Sequence, residues 1–221
     1  MTRWNDRLHA PLDRCDEPLT VFFRDDDVGQ MDERLLRLLD LFVVYQTPID
    51  LAVIPHALEG RVAEMLLTMH ASNSSHLGLH QHGFQHVNHE LTGRKCEFGS
   101  SRTLTEQHAD LFEGRERLRQ HLPDAIDPIF TPPWNRCTQA TADGLVPLGF
   151  QVLSRTVGAA PLVLNGLAEV SVAIDWSKHG AAFSAESVAQ RIGEAIATSG
   201  TVGIMLHHAV MNEVQFVELD A

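Results

Sequence analysis

Five of the thirteen histidines fall within the fourteen residues His76–His89, a density that neither a packed core nor an ordinary surface loop requires. His82 and His86 stand at i and i+4, a spacing that on a helical turn puts two imidazoles on one face, within reach of one divalent cation. A polar loop that is merely histidine-rich is the plain alternative, so the reading turns on a third ligand. Asp25, Asp26 and Asp27 supply candidates directly after the apolar run Leu19–Arg24. Three consecutive carboxylates at the end of a buried strand are costly unless a cation or a proton compensates them; a solvated acidic turn ahead of a helix N-terminus is the competing reading. Asp26 or Asp27 together with the two imidazoles would form an open metal site with room for water and substrate. The aspartate left over is then a general base toward water that such a cation acidifies to a pKa of roughly 7. His207 and His208, at the end of another apolar run, offer a general acid for a departing amine or alcohol. The reaction these parts suit is hydrolysis of an acyl group through a tetrahedral oxyanion.

Residues so far apart need a scaffold that gathers them. Leu19–Arg24 reads as a buried strand, Met31–Tyr45 as a helix with leucines at helical spacing, Pro48–Pro55 as a second buried strand, and 57–71 as a second helix. Leu77–Leu79 is a short strand feeding the histidines. Strands and helices in alternation imply a parallel α/β fold. Further on, Gly93–Ser101 reads as a polar, mobile loop, and Thr103–His121 as a helix opened by a Thr103/Glu106 capping box. Strands follow at Ile129–Thr131, Phe150–Ser154, Val170–Trp176 and Thr201–Leu206, with helices over 138–148 and Ser184–Thr198. Five of these strands end in unusual residues: the aspartates, the histidines, Pro132-Pro133-Trp134, Asp175-Trp176 and His207-His208. In a barrel of parallel strands all carboxyl ends gather at one face, where active sites lie. The expectation is a single distorted (β/α) barrel over residues 1–221, with 1–18 an irregular segment on account of Pro11 and Pro18.

Composition narrows the function. The 221 residues are long enough for one sizeable core. A net charge of -12, from 17 basic and 29 acidic side chains, argues against a nucleic-acid partner. Cys15, Cys96 and Cys137 are odd in number and lack C-x-x-C spacing, so neither a disulfide framework nor a thiolate zinc site is implied. Met1–Arg7 leads into no apolar run and no segment reaches the ~18 to 20 apolar residues of a membrane span; the expectation is a cytoplasmic protein.

The order of these motifs resembles the polysaccharide deacetylase family of metal-dependent carbohydrate esterases. Arg24-Asp25-Asp26-Asp27-Val28 is similar to the family's first motif, T-F-D-D-G, which implies Asp26 as base and Asp27 as metal ligand. His82-Gly83-Phe84-Gln85-His86 resembles its H-S/T-x-x-H motif, making His82 and His86 the remaining ligands. Thr131-Pro132-Pro133-Trp134 resembles R-x-P-aromatic and Asp175-Trp176 the Asp-Trp motif, so Pro133, Trp134, Asp175 and Trp176 would line the substrate pocket. Leu206-His207-His208 resembles the closing L-x-H motif, with His207 preferred as acid over His208 because successive strand residues alternate. By the same alternation Asp25 points away from Asp26, toward an arginine. The resemblance implies a distorted barrel, one divalent ion (zinc, with cobalt or nickel as alternatives) and hydrolysis of an N- or O-acetylated carbohydrate. Thr131 stands where the family has an arginine that orients the base, which leaves Arg136 as a substitute or the aspartate tuned differently. Val28 and Gly83 are further departures, and His56, His80 and His89 have no counterpart. Trp134 and Trp176 could equally be core aromatics. A non-sugar amide hydrolase and a silent carbohydrate-binding domain are the rival readings. Without a leader segment, a soluble nucleotide- or lipid-linked sugar precursor fits better than a wall polymer.

Overall fold

The structure, a computed structural model, describes residues 6–15, 18–178, 184–198 and 200–221. Parts of the expected leader-free start and irregular segment, residues 1–5 and 16–17, lie outside the described residues. In chain order the elements are α1 (Asp6–Leu12), β1 (Thr20–Val28), α2 (Glu33–Val44), β2 (Ile49–Val53), α3 (Gly60–Ser72), β3 (Leu77–His82), α4 (Leu104–His121), β4 (Ile129–Thr131), α5 (Gln139–Leu145), β5 (Val152–Thr156), β6 (Ala168–Asp175), α6 (Ala185–Thr198), β7 (Thr201–Leu206) and α7 (Glu213–Leu219). The seven strands neighbour one another in sequence order and close into a barrel, with parallel pairing between β1 and β7, β3 and β4, β4 and β5, and β6 and β7. This is the distorted (β/α) barrel expected from the alternation of elements. The distortion includes a link from β5 to β6, residues 157–167, that carries no helix. Among the described residues no helix is long and apolar enough to cross a membrane.

Two compact units divide the chain. The first comprises Met1–Asp26, Asp32–Ile49 and Val172–Ala221. Its α2 starts at Asp32, whose side chain accepts from the Arg34 amide, and buries Leu35, Leu38, Leu39 and Phe42, an i, i+3, i+4, i+7 stripe. Phe42 meets Phe23 of β1 edge-on at 5.0 Å. The β1–β7 register runs from Thr20↔Thr201 to Asp25↔Leu206, so the acidic and histidine-bearing strand ends are aligned by the ladder itself. Two elements of this unit depart from expectation. Asp6–Leu12 is helical rather than irregular, because Pro11 sits in the last turn, where it forfeits a single backbone bond, and its ring packs over Gly193 of α6, where a Cβ would come within 3.1 Å. The closing helix α7 has an Asn212/Gln215 capping box that the sequence displays but that follows the last motif.

The second unit comprises Asp27–Met31 and Asp50–Ser171. Its core gathers Phe98, Leu111, Phe130, Ala142, Leu145, Phe150, Leu153 and Leu167, with Phe130 edge-on to both Phe98 at 5.3 Å and Phe150 at 5.8 Å. The helix α4 opens with the expected Thr103/Glu106 box. The stretch Gly93–Ser101, expected from its polarity to be a mobile loop, is instead anchored: Cys96, Glu97, Phe98 and Gly99 are buried, and Phe98 bridges to Cys137. A single large apolar residue inside the polar run accounts for the difference. Phe98→Ala should therefore cost about 3–5 kcal/mol in urea unfolding, as expected for a fully buried aromatic, whereas a loop residue without a core role would cost under 0.5 kcal/mol.

Candidate active site

In the second unit, β3 ends on His82, whose side chain is 1% exposed. Its Nδ1 lies 3.1 Å from the Thr131 carbonyl oxygen, which can only accept, so Nδ1 carries the proton and the Nε2 lone pair is left for a ligand. That Nε2 is 3.0 Å from Asp27 Oδ1, and His86 Nε2 is 3.1 Å from the same oxygen. One ligand atom from each of Asp27, His82 and His86 lies within 4.8 Å of the others. A tetrahedral ion with bonds of about 2.0–2.1 Å needs ligand atoms about 3.3 Å apart, so this donor set fits a divalent cation.

The two histidines are not on a helical turn. His82 is the last strand residue, and the chain turns back through Gly83 (φ 56°) to reach His86 (φ 61°). What holds this turn is Glu97, which accepts from the amides of Phe84 (3.2 Å), Gln85 (2.7 Å) and His86 (3.0 Å). Burial holds the Glu97 carboxyl above the ordinary carboxylate range, against the opposing pull of the Gln85 and Phe84 amides. The same packing explains Gly83 in place of serine or threonine: a Cβ there would sit 2.2 Å from Glu97 Oε2 and 2.5 Å from Pro133 Cγ. Asp27, Trp134 and Asn135 also hold left-handed φ values of 70°, 55° and 58°, a concentration of backbone strain typical of functional sites. At Asp27 the sign of φ interrupts the strand alternation at the end of β1.

Trp134 is half-buried, with its ring 4.5 Å from that of His86, and Pro133 is buried against the Gly83 turn. His80 is structural: its Nε2 lies 2.9 Å from Thr131 Oγ1, which shows what Thr131 does where an arginine was expected. His56 meets Phe84 edge-on at 5.9 Å. Both nearby thiols are inert, with Cys96 pushed up by burial and Cys137 pushed up to about 12 by the same cause.

In the first unit, Asp26 is buried and gripped by Arg24, Nε to Oδ1 at 2.7 Å and Nη2 to Oδ2 at 2.9 Å. The orienting guanidinium thus comes from the same strand at i−2, on the same face by strand alternation. It does not come from Arg136, whose Nη1 donates instead to the Lys95 carbonyl. His207 Nε2 lies 3.9 Å from Asp26 Oδ2, and its amide donates to Ser177 Oγ. His208 is turned away and buried, its Nδ1 2.6 Å from Asp25 Oδ2 and its amide 2.9 Å from Asp25 Oδ1. Asp25 does point away from Asp26, but to this histidine rather than to an arginine. Asp175 keeps part of its surface, and its Oδ1 has no hydrogen-bond partner among the described residues. Trp176 corrects the expectation of a pocket aromatic: it is 1% exposed, with Nε1 donating to the Gln215 carbonyl at 3.1 Å and no surface left for a sugar.

Arg24 and Glu97 are the residues that motif reading missed. Period-2 alternation is the signal that could have found Arg24, whereas nothing local to Glu97 points to a turn eleven residues upstream.

No protein-family model matches the chain, and no curated protein matches it. Solved structures do. A Mycobacterium smegmatis protein assigned to the polysaccharide deacetylases superposes with a TM-score of 0.67 at 16% identity, covering 94% of this chain and 84% of its own. A family 4 acetyl xylan esterase from Clostridium thermocellum, in complex with a cobalt ion, gives 0.59 at 14%, with coverage of 91% and 79%. A family 4 pseudoenzyme from Bacillus anthracis gives 0.57 at 12%, with coverage of 93% and 59%. The fold is therefore that of the family 4 carbohydrate esterases.

Proposed function

We propose that this chain is a metal-dependent deacetylase of the polysaccharide deacetylase type, removing an acetyl group from an N- or O-acetylated carbohydrate. The observation that carries the reading is the Asp27, His82 and His86 donor set, with His82 held by the Thr131 carbonyl in the tautomer a metal needs. Asp27, His82 and His86 would hold one divalent ion, zinc or, as in the clostridial esterase structure, cobalt. Such an ion supplies Lewis acidity toward the acetyl carbonyl and acidifies water.

The chain's own groups provide the proton transfers. Asp26, aimed by Nε and Nη2 of Arg24, takes a proton from the attacking water as general base. His207, on the rim of the same carboxylate and with its side chain 23% exposed, gives a proton to the departing amine or alcohol. His208 is a positioning residue, because both its ring and its amide are committed to Asp25. In the second unit the half-buried Trp134 is left to meet the sugar; in the first, Asp175 keeps part of its surface.

A silent binding module was suggested by the missing arginine at Thr131, and a family 4 pseudoenzyme stands among the structural neighbours. The grip of Arg24 on Asp26 supports the enzyme reading for this chain. The test is elemental analysis of purified protein with acetate release from acetylated sugars. About one divalent ion per chain, lost in both His82→Ala and His86→Ala, is expected, and Asp26→Asn should lose acetate release while still binding sugar. A wild type that takes up no zinc, cobalt or nickel, or an Asp26→Asn variant as active as wild type, would overturn the reading.

A further inference from the structure

The candidate site carries a positive rim on a strongly acidic chain. Lys95 places its ammonium 5.9 Å from the Trp134 ring centroid, at the outer range of a cation–π contact, and the same indole packs against His86. Arg136, two residues after Trp134, is tied to this segment, since its Nη1 donates to the Lys95 carbonyl at 2.8 Å and its own carbonyl accepts from Cys96 Sγ. Arg94 adds a third cation. It directly precedes Lys95 and is exposed like it, and burial first, then the charge of Arg94, hold the Arg136 guanidinium below its ordinary value.

Like charges kept together raise the local positive potential, to which an anion is drawn. Within the second unit Arg61, Arg102, Arg119 and Arg155 have carboxylate partners, and Arg115 and Arg117 donate to the Leu148 and Pro55 carbonyls; among the described residues no ion pair reaches Arg94, Lys95 or Arg136, which are grouped on one segment. The acids of the same stretch are held by neutral donors and not by these cations: Glu90 by the Ser101 amide and hydroxyl, and Glu97 by three amides. The Phe98–Cys137 bridge and the Cys96 contact hold the segment in place, so the charges are presented by an ordered backbone. With a net charge of -12, the chain as a whole repels anions, and only a local cluster of this kind attracts one.

We infer that Arg94, Lys95 and Arg136 form a subsite beside Trp134 for an anionic substituent, so that the substrate is an acetylated sugar bearing a phosphate or a carboxylate rather than a neutral polysaccharide. The inference rests on the deacetylase reading for the acetylated sugar and on the cation cluster for the charge. A sugar stacked at Trp134 would direct its anionic group to Lys95 and Arg136, with Arg94 strengthening the field from the exposed side.

The test titrates zinc-loaded protein with N-acetylglucosamine, N-acetylglucosamine 1-phosphate and N-acetylmuramic acid by calorimetry, beside acetate release from each. At least a tenfold tighter binding of one or both anionic sugars over the neutral one is expected. That preference should fall to near unity in R94E/K95E and weaken steeply with added salt. An R61E/R119E variant makes the same change in net charge elsewhere in the unit and should keep the preference. The phosphate and carboxylate arms tell which anion is taken. Equal binding of all three sugars, or a preference that survives R94E/K95E, overturns the subsite. Retained preference with no acetate release from any sugar upholds the subsite and overturns the deacetylase reading instead.

Discussion

An Arg24→Met variant should lose about 3–5 kcal/mol of stability, the cost of leaving one member of a buried ion pair without its partner. Arg24 and Asp26 have side chains only 1% and 2% exposed, so solvent cannot replace the lost guanidinium. Methionine keeps much of the volume beside Met205, whose Sδ lies 3.2 Å from Nη2, so the loss reports charge and hydrogen bonding rather than a cavity. Arg24→Lys should fall between the two, because an ammonium cannot reproduce the two-pronged grip. The double variant Arg24→Met/Asp26→Leu should recover most of the stability, since a buried pair exchanged for apolar groups is often neutral. Urea unfolding of the four proteins at one pH checks this. A double variant as unstable as Arg24→Met alone would mean that the pair is not the unit of stability. On the proposed function, acetate release separates the two roles. Arg24→Met should be slowed about 100-fold, as expected for a misplaced catalytic group, and the double variant should be inactive while stable.

This pair also shows where sequence reasoning succeeds and where it stops. Apolar runs ending in aspartates and histidines located the strands and the barrel, because buried parallel strands have few other ways to look. Alternation was enough to separate His207 from His208, which the structure places 3.9 Å from Asp26 and against Asp25 respectively. The same alternation places Arg24 on the face of Asp26, yet motif comparison directed attention to Thr131 and Arg136. Trp176 was read as pocket because motif position says nothing about burial, which is decided by α7, a helix beyond the last motif, through Gln215. The His82–His86 spacing singled out two rings that the structure brings together beside Asp27, but for an incorrect geometric reason. Helical periodicity was assumed, whereas a left-handed glycine and a distant carboxylate bring the two rings together. Contacts of that kind are set by tertiary packing, and no local pattern encodes them.

Removing that carboxylate should loosen the proposed metal centre without touching a proposed ligand. In Glu97→Ala the part-buried amides of Phe84, Gln85 and His86 lose their acceptor; an amide left unpaired away from water costs about 1–3 kcal/mol, and water reaching these groups reduces that cost. The turn should relax, and zinc affinity should fall about 10- to 100-fold, the range seen when supporting groups behind metal ligands are removed. Glu97→Gln should be nearly as damaging, because both oxygens accept from amides and a carboxamide must present one NH2 to a donor. Gly83→Ser, which installs the residue of the resembling motif, should weaken zinc binding as well, since φ 56° disfavours a side chain and the Cβ meets Glu97 Oε2 at 2.2 Å. If the two positions act through one turn, Gly83→Ser/Glu97→Ala should cost less affinity than the two single variants added together. Full additivity in competitive zinc titrations would mean that Glu97 and Gly83 act independently, and wild-type affinity in Glu97→Ala would mean that His82 and Asp27 hold the ion without the turn. Pro133 Cγ, 2.5 Å from the same Cβ position, sets the floor: some loss should remain in the double variant even with the carboxylate gone.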